Sequence, residues 1–443
     1  MKKALFFAGI AAMTLASCSQ EEVLKVNTGN ADDNLVSFRV RSRNAARSVE
    51  YNTENLQDFK VFGYIGWPDE AYENGADNLV PFFKGGLAET FTRGEDGIFT
   101  SATPYYYPGD GSMLYFAAFA PTTLDPVPTP YGGFKIDEYT VNADITKQED
   151  IILAETISDS ESAAADNEIT FRHALSKVYI SELRCSNENL KIEVVGVKFG
   201  NIDAAGELLF CGEKAFSHEG QNEVFGEDGY IADGDGRIFW KPAGEQTSSF
   251  VYLLDAPVVL DKDNTSAAIM SGDDAATENA THKEAFMMIP QQLKATLEEN
   301  EEGTEIQKFY ETDSYIAFLI RVTTVSNDKV IYPFAEGVTN ITEEIGGVKY
   351  AWAAFPVASL WAPGLYVDYL VDFSKGVGFV APGAEDHVLK PILGTEVTFT
   401  VSVGTSGTNG WNQGGLESIE HDNTVRVDIA DDEDPFPDDN EGE

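Results

Sequence analysis

Three cysteines and five histidines in 443 residues leave little with which to build a disulfide framework or a metal centre. The histidines, His173, His218, His282, His387 and His421, never fall within metal-ligand spacing of one another. There is no nucleophile elbow, phosphate-binding loop or dinucleotide fingerprint either. The residues thus offer no catalytic constellation and call for no cofactor, and the expectation is a protein that is not an enzyme. Basic charge is scarce too: 30 Lys and Arg stand against 74 Asp and Glu, a formal net charge of −44. A surface so acidic cannot neutralise phosphates, which excludes nucleic acid as a partner. Carboxylates are so numerous that a glycosidase-like pair could be picked anywhere, and such a pair carries no information.

Long apolar runs are missing after the N-terminus. Met1–Lys3 is basic, Ala4–Ala16 is apolar over 13 residues, and "LASC" ends in Cys18. That is short of the roughly 20 residues needed to span a bilayer, so residues 1–17 read as a secretion signal. The small residues before Cys18 resemble a bacterial lipobox, which implies that the thiol carries a diacylglycerol and, with further acylation such as palmitate, holds the chain to outer-membrane lipid. Residues 18–34 would then be a lipidated linker. Its "SQEE" resembles an acidic tag for export to the outer face of the outer membrane. Cys185 and Cys211 remain, both beside strand-like runs. The residues alone leave open whether they form a disulfide or stay as two buried thiols.

Helical periodicity is absent, and alternation dominates instead. "VSFRVR" puts Val36, Phe38 and Val40 on one face and Ser37, Arg39 and Arg41 on the other, a half-buried strand. Similar runs follow, among them "FKVFGYIGW", "MLYFAAFAP", "KVYISEL", "IEVVGVKF", "YIAFLIRVTTV", "LYVDYLVDF" and "VTFTVSV", separated by Gly, Pro, Asn and Asp clusters. This pattern predicts an all-β chain of sandwich type without parallel βαβ alternation. The polar stretch Glu155–Glu168 is the best internal boundary, dividing units 35–165 and 166–430, and 431–443 is an acidic tail that cannot bury a core. "DGDG" at Asp233–Gly236 reads as a tight turn rather than a calcium loop, because Arg237 stands where the third ligand belongs. The aromatics of "YYYPGDG" read as core rather than a sugar-stacking platform, and His173 reads as a structural histidine.

Arginine is concentrated: four of the ten, Arg39, Arg41, Arg43 and Arg47, lie within "FRVRSRNAARS". That strand with its "AARS", the stretches "LQDFKVFGY" and "YYYPGDGSMLYFAAFAP", the run "ITFRHALSKVYI" and the late "VTFTVSV...GWNQ" together, and in this order, resemble the fimbrillin (type V pilin) family of surface lipoproteins from Bacteroidales-type bacteria. The resemblance implies two tandem transthyretin-like β-sandwich domains, with the first strand, 35–41, lying in a groove. It implies a structural subunit of a cell-surface fimbria that contributes to adhesion, and other copies or other fimbrial subunits as partners, besides a host or bacterial adhesion ligand. It also implies an arginine-specific protease cutting in the loop beyond the first strand, at Arg47 or, second, Arg43. The expelled strand would present Val36, Phe38 and Val40. The replacement from the next subunit would be 425–429, with Val425, Val427 and Ile429 at the same spacing. Two departures from the family are the acidic tail and the polar loop Gly410–Asn423 before the last strand. The alternative on the residues is a lipid-anchored glycan-binding protein.

Overall fold

The computed structural model describes residues 35–41, 56–66, 80–129, 132–158, 167–211, 229–233, 236–245, 248–270, 285–295, 297–299, 305–307, 309–335, 342–382, 391–393, 398–404 and 425–426. The chain is all-β, as the alternation predicts. Among the described residues the only helical pieces are 3₁₀ turns at Lys84–Gly86 and Ile145–Lys147.

The first half gives strands β1 (Phe38–Arg41), β2 (Asp58–Ile65), β3 (Val80–Pro81), β4 (Glu89–Arg93), β5 (Ile98–Ser101), β6 (Leu114–Ala120), β7 (Val127–Pro128), β8 (Phe134–Thr140), β9 (Ile152–Ser158), β10 (Glu168–Thr170) and β11 (Arg172–His173). Nine of them form one sheet in the order β10-β1-β5-β4-β2-β6-β9-β11, with β3 on the end of β2. This sheet curls. Phe38 on β1 reaches Phe116 on β6 with ring centroids 5.1 Å apart, although three strands lie between them. At the closing edge the Thr156 hydroxyl of β9 donates to the Glu168 carbonyl of β10 at 3.2 Å.

Curling gives the sheet an inside and an outside, and both are apolar. The inside holds Val36, Phe38, Phe59, Val61, Phe91, Phe99, Leu114, Phe116, Ala118, Ile152, Ala154 and Ile169. Outside, Phe62 and Phe119 meet Phe134, which belongs to a second sheet made of β7, β8 and the strands Ala205–Phe210, Ile231–Ala232 and Ile238–Pro242. This explains why β6 is buried at every position: a strand covered on both faces reads as a continuous apolar run rather than an alternating one. Gly63 allows the closest approach on the inside, since a Cβ there would lie 2.7 Å from the Phe83 ring.

The second half is a sandwich. One sheet carries Ser176–Arg184 beside Tyr366–Asp372 and Thr398–Gly404; the other carries Ser248–Leu260, Leu190–Ile202, Tyr315–Thr324 and Val348–Pro356. Rings join the layers, Phe199 to Tyr369 at 6.1 Å and Phe318 to Phe373 at 5.4 Å. Among the described strands, pairing crosses the expected boundary at 165 three times: β1 pairs with β10, β9 with β11, and β8 with Ala205–Phe210. Polar contacts cross it as well. Arg237 pairs with Glu155, and the Met287 N–H donates to Gln148 Oε1 at 2.7 Å.

His173 is structural, its Nδ1 lying 2.7 Å from Asp150 Oδ2 in a buried pair. Asp233 closes a turn by accepting the Arg237 and Ile238 N–H groups at 2.7 and 3.0 Å. Cys185 and Cys211 are both buried and free.

In the second half the parallel ladder between Ser176–Arg184 and Tyr366–Asp372 is interrupted between Ile180 and Glu182. The skipped Ser181 N–H donates to the Asp368 carboxylate at 3.0 Å. Burial dominates there and pushes the Asp368 carboxyl up to about 6. A carboxyl raised on folding costs stability once ionised. The penalty is absent below the ordinary carboxylate range, grows between about pH 4 and 6, and is complete above. Asp368→Asn is therefore expected to raise the melting temperature at pH 7 and leave it unchanged near pH 3.5. Thermal unfolding followed by circular dichroism at the two pH values checks this.

Candidate functional site: the groove of the first strand

The alternation of "VSFRV" places its residues as expected. Val36 and Phe38 are fully buried, Val40 packs partly buried on the same cluster, and Arg39 is exposed. β1 is no edge strand. It pairs antiparallel with β5 through Phe38↔Phe99 and Arg39↔Ile98, and parallel with β10 through Arg39↔Glu168, Val40↔Ile169 and Arg41↔Thr170. Ahead of it, the Val36 N–H donates to the Tyr105 carbonyl at 2.8 Å, and Leu35 bridges Tyr106.

Phe38 occupies a pocket made of rings. Its centroid lies 4.8 Å from Phe91, 5.1 Å from Phe116 and 5.9 Å from Phe59, each contact edge to face. That arrangement sets ring edges against ring faces and adds about 0.5–1.5 kcal/mol per pair beyond area burial. Phe82, Phe83 and Tyr105 extend the ring cluster beyond Phe116.

A polar clamp completes the site. The buried Asn167, just before β10, donates from Nδ2 to the Ser37 carbonyl at 3.1 Å and to the Tyr107 hydroxyl at 3.0 Å. Tyr107 and Ser158, the last residue of β9, share a hydroxyl bond of 2.6 Å. The Asn167 carbonyl accepts the Arg39 N–H at 3.0 Å. Asn167 therefore grips the β1 backbone on both sides of Phe38. Sequence reasoning missed it, because one asparagine in a polar stretch carries no signal of its own.

The other expected positions fall differently. Val425 lies in a two-residue strand, Val425–Arg426, paired antiparallel to Thr398–Gly404 through Val425↔Val401 and Arg426↔Thr400. Cys18, Arg43, Arg47, Val427 and Ile429 lie outside the described residues. Of the "YYYPGDG" tyrosines, Tyr107 is buried and Tyr105 half-buried on the pocket, while Tyr106 is exposed. Among the described residues no group of three His, Cys, Asp or Glu could hold a metal ion.

Truncating the central ring should cost most here. Phe38→Ala is expected to lower stability by about 3–5 kcal/mol, the range for a buried phenylalanine, and Asn167→Ala by about 1–3 kcal/mol, the range for orphaning a buried polar group. Denaturant titration of the two variants against the parent checks the order, with Phe38→Ala the larger.

A profile of the fimbrillin-like family matches residues 47–375. β1 and Val425 lie outside that match. No curated protein matches the chain. Among solved structures it is similar to a fimbrial protein from Bacteroides vulgatus, with 13% identity over 84% of this chain and 98% of that one and a TM-score of 0.45. It is also similar to a fimbrial assembly protein from Parabacteroides distasonis, with 10% identity, 84% and 99% covered and a TM-score of 0.31. The matched residues take in both halves of the fold, and the chain belongs to the fimbrillin-like family.

Proposed function

We propose that the protein is a structural subunit of a cell-surface fimbria, assembled when the β1 groove exchanges its occupant. The observation that carries this reading is the placement of β1. A four-residue strand fills a ring-lined pocket, is paired on both edges, and is followed in sequence by Arg43 and Arg47. Cleavage after Arg47 by an arginine-specific protease would detach β1 from the rest of the fold. The vacated groove would expose unpaired backbone edges beside apolar pockets, which is the template that an added strand needs. A strand from the next copy, with Val425, Val427 and Ile429 facing inward, would fill it. A head-to-tail contact of this kind does not close on itself and grows a filament.

Further elements belong to the same reading. Cys18 carries lipid and holds the subunit to the outer membrane during export. Two β units, 35–165 and 166–430, share strands across their junction. Family membership supports a cell-surface role in assembly and adhesion rather than in catalysis.

Limited digestion of the purified chain with an arginine-specific protease is expected to remove residues through Arg47 and to be followed by filaments in the electron microscope. Arg47→Ala together with Arg43→Ala abolishes both. Val425→Asp with Ile429→Asp leaves cleavage intact and blocks filaments. Filaments that persist in this last variant would place the donor strand elsewhere, and an uncut monomer that binds polysaccharide would replace the reading with the glycan-binding one.

A further inference from the structure

β10 is the outermost strand of the curled sheet, and its one ladder partner among the described strands is β1. Its other neighbour across the closing edge, β9, forms no ladder with it. β9 is tied to it by side chains: the Thr156 hydroxyl on the Glu168 carbonyl at 3.2 Å, and the Asn167–Tyr107–Ser158 chain of hydrogen bonds. One link of the clamp, Asn167 Nδ2 to the Ser37 carbonyl, ends on the residue just before β1. A second bond, from the Arg39 N–H to the Asn167 carbonyl, joins Asn167 to β1 itself.

The chain beyond β10 is anchored independently of β1. β11 pairs with β9 through Arg172↔Leu153 and His173↔Ile152, and His173 Nδ1 lies 2.7 Å from Asp150. The Ala174 N–H donates to the Ile151 carbonyl at 2.8 Å, and the Ala174 carbonyl accepts the Trp240 N–H at 2.6 Å. Between the two stands Phe171, half-buried, with its ring 5.1 Å from Phe59.

We infer that β1 and β10 form one cooperative unit within the sheet: whatever loosens β1 releases residues 167–170 with it, up to a fixed boundary at β11. Ladder bonds hold a short strand only while the partner is in place, and local openings follow such contiguous units. With β1 gone, β10 loses its ladder, the described bond from the Thr156 hydroxyl to the Glu168 carbonyl stays, and Asn167 loses two backbone contacts at once. The groove is therefore two strands wide when it opens. The wall beside β5 is rigid, since β5 remains paired with β4. The wall formed by β10 is re-formed by the strand that binds. This property belongs to the groove named under the proposed function, but it holds in the single chain whether or not filaments grow.

Hydrogen–deuterium exchange of the intact full-length protein and its Phe38→Ala variant tests it. Exchange in peptides covering 36–41 and 167–170 is expected to rise together, by about tenfold or more and by the same factor. Peptides covering 114–120 and 172–176 should keep the parent rate. Protection retained at 167–170 while 36–41 exchanges freely overturns the inference, as does loss at 172–176 in step with 167–170. If Phe38→Ala raises exchange throughout, the milder Val36→Ala is compared in the same way and judged by the same two outcomes. Asn167→Ala supplies the reverse measurement, with faster exchange at 36–41 expected from a change made on the β10 side. Filament formation after proteolysis is scored separately, so failure of the exchange reading and failure of coupled opening are told apart.

Discussion

The contact of Phe38 with Phe59, Phe91 and Phe116 is the constraint on which the first half of the fold depends. A curled sheet needs something at its centre, and one ring from β1 meets strands from the opposite side of the curl. Without it the inside would keep its apolar lining and lose the piece that touches all sides. β1 also supplies the ladder that holds β10, so a strand of four residues contributes both core and closure. Val36 and Phe38 together bury enough apolar surface for about 3–6 kcal/mol. That is comparable to a large part of a typical domain's net stability.

Charge bears on how such a site can be used. At −44 overall, two copies repel each other at long range, and a contact built from surface ion pairs would have little basic charge to draw on. Burial of side chains in a ring-lined pocket does not depend on charge. Repulsion between the bodies is screened beyond roughly 8–10 Å at ordinary ionic strength, so an extended strand reaching from one copy into another keeps most of the acidic surfaces apart. On the strand-exchange reading, that is how so acidic a chain associates through a strand rather than through a face.

The sequence made the strands legible and left their partners hidden. Val36, Phe38 and Val40 at intervals of two predict the inward face of β1, and Arg39 is exposed as its alternate position requires. The parallel pairing with β10 had no local sign, because it joins residues about 130 positions apart, as in the Asn167–Ser37 contact, with no turn between to announce it. β6 was legible as an apolar strand, but its burial on both faces was not, because nothing in the run says that β8 covers it with Phe134. The cysteines were ambiguous in sequence for the same reason. Cys185 lies against the Phe373 carbonyl and Cys211 donates its N–H to Arg237, and each position is fixed by strands remote in the chain. Asn167 was invisible because its role comes from where β1 lies.

On the strand-exchange reading, the direction of exchange follows from counting edges. Among the described strands Val425–Arg426 is paired on one side, against Thr398–Gly404. A strand in the place of β1 is paired on two sides, antiparallel with β5 and parallel with β10. Side-chain fit pulls the other way, since a valine such as Val427 in the position of Phe38 fills only part of the space of a phenyl ring, and residual space costs about 24 cal/mol per Å³. Intact β1 therefore outcompetes such a strand as long as it remains tethered beside its own groove, where its effective concentration is high. Cutting the tether removes that advantage without touching either strand. The second ladder then decides the outcome: control lies in the covalent link after β1, and the driving force in the backbone edges that β1 leaves behind.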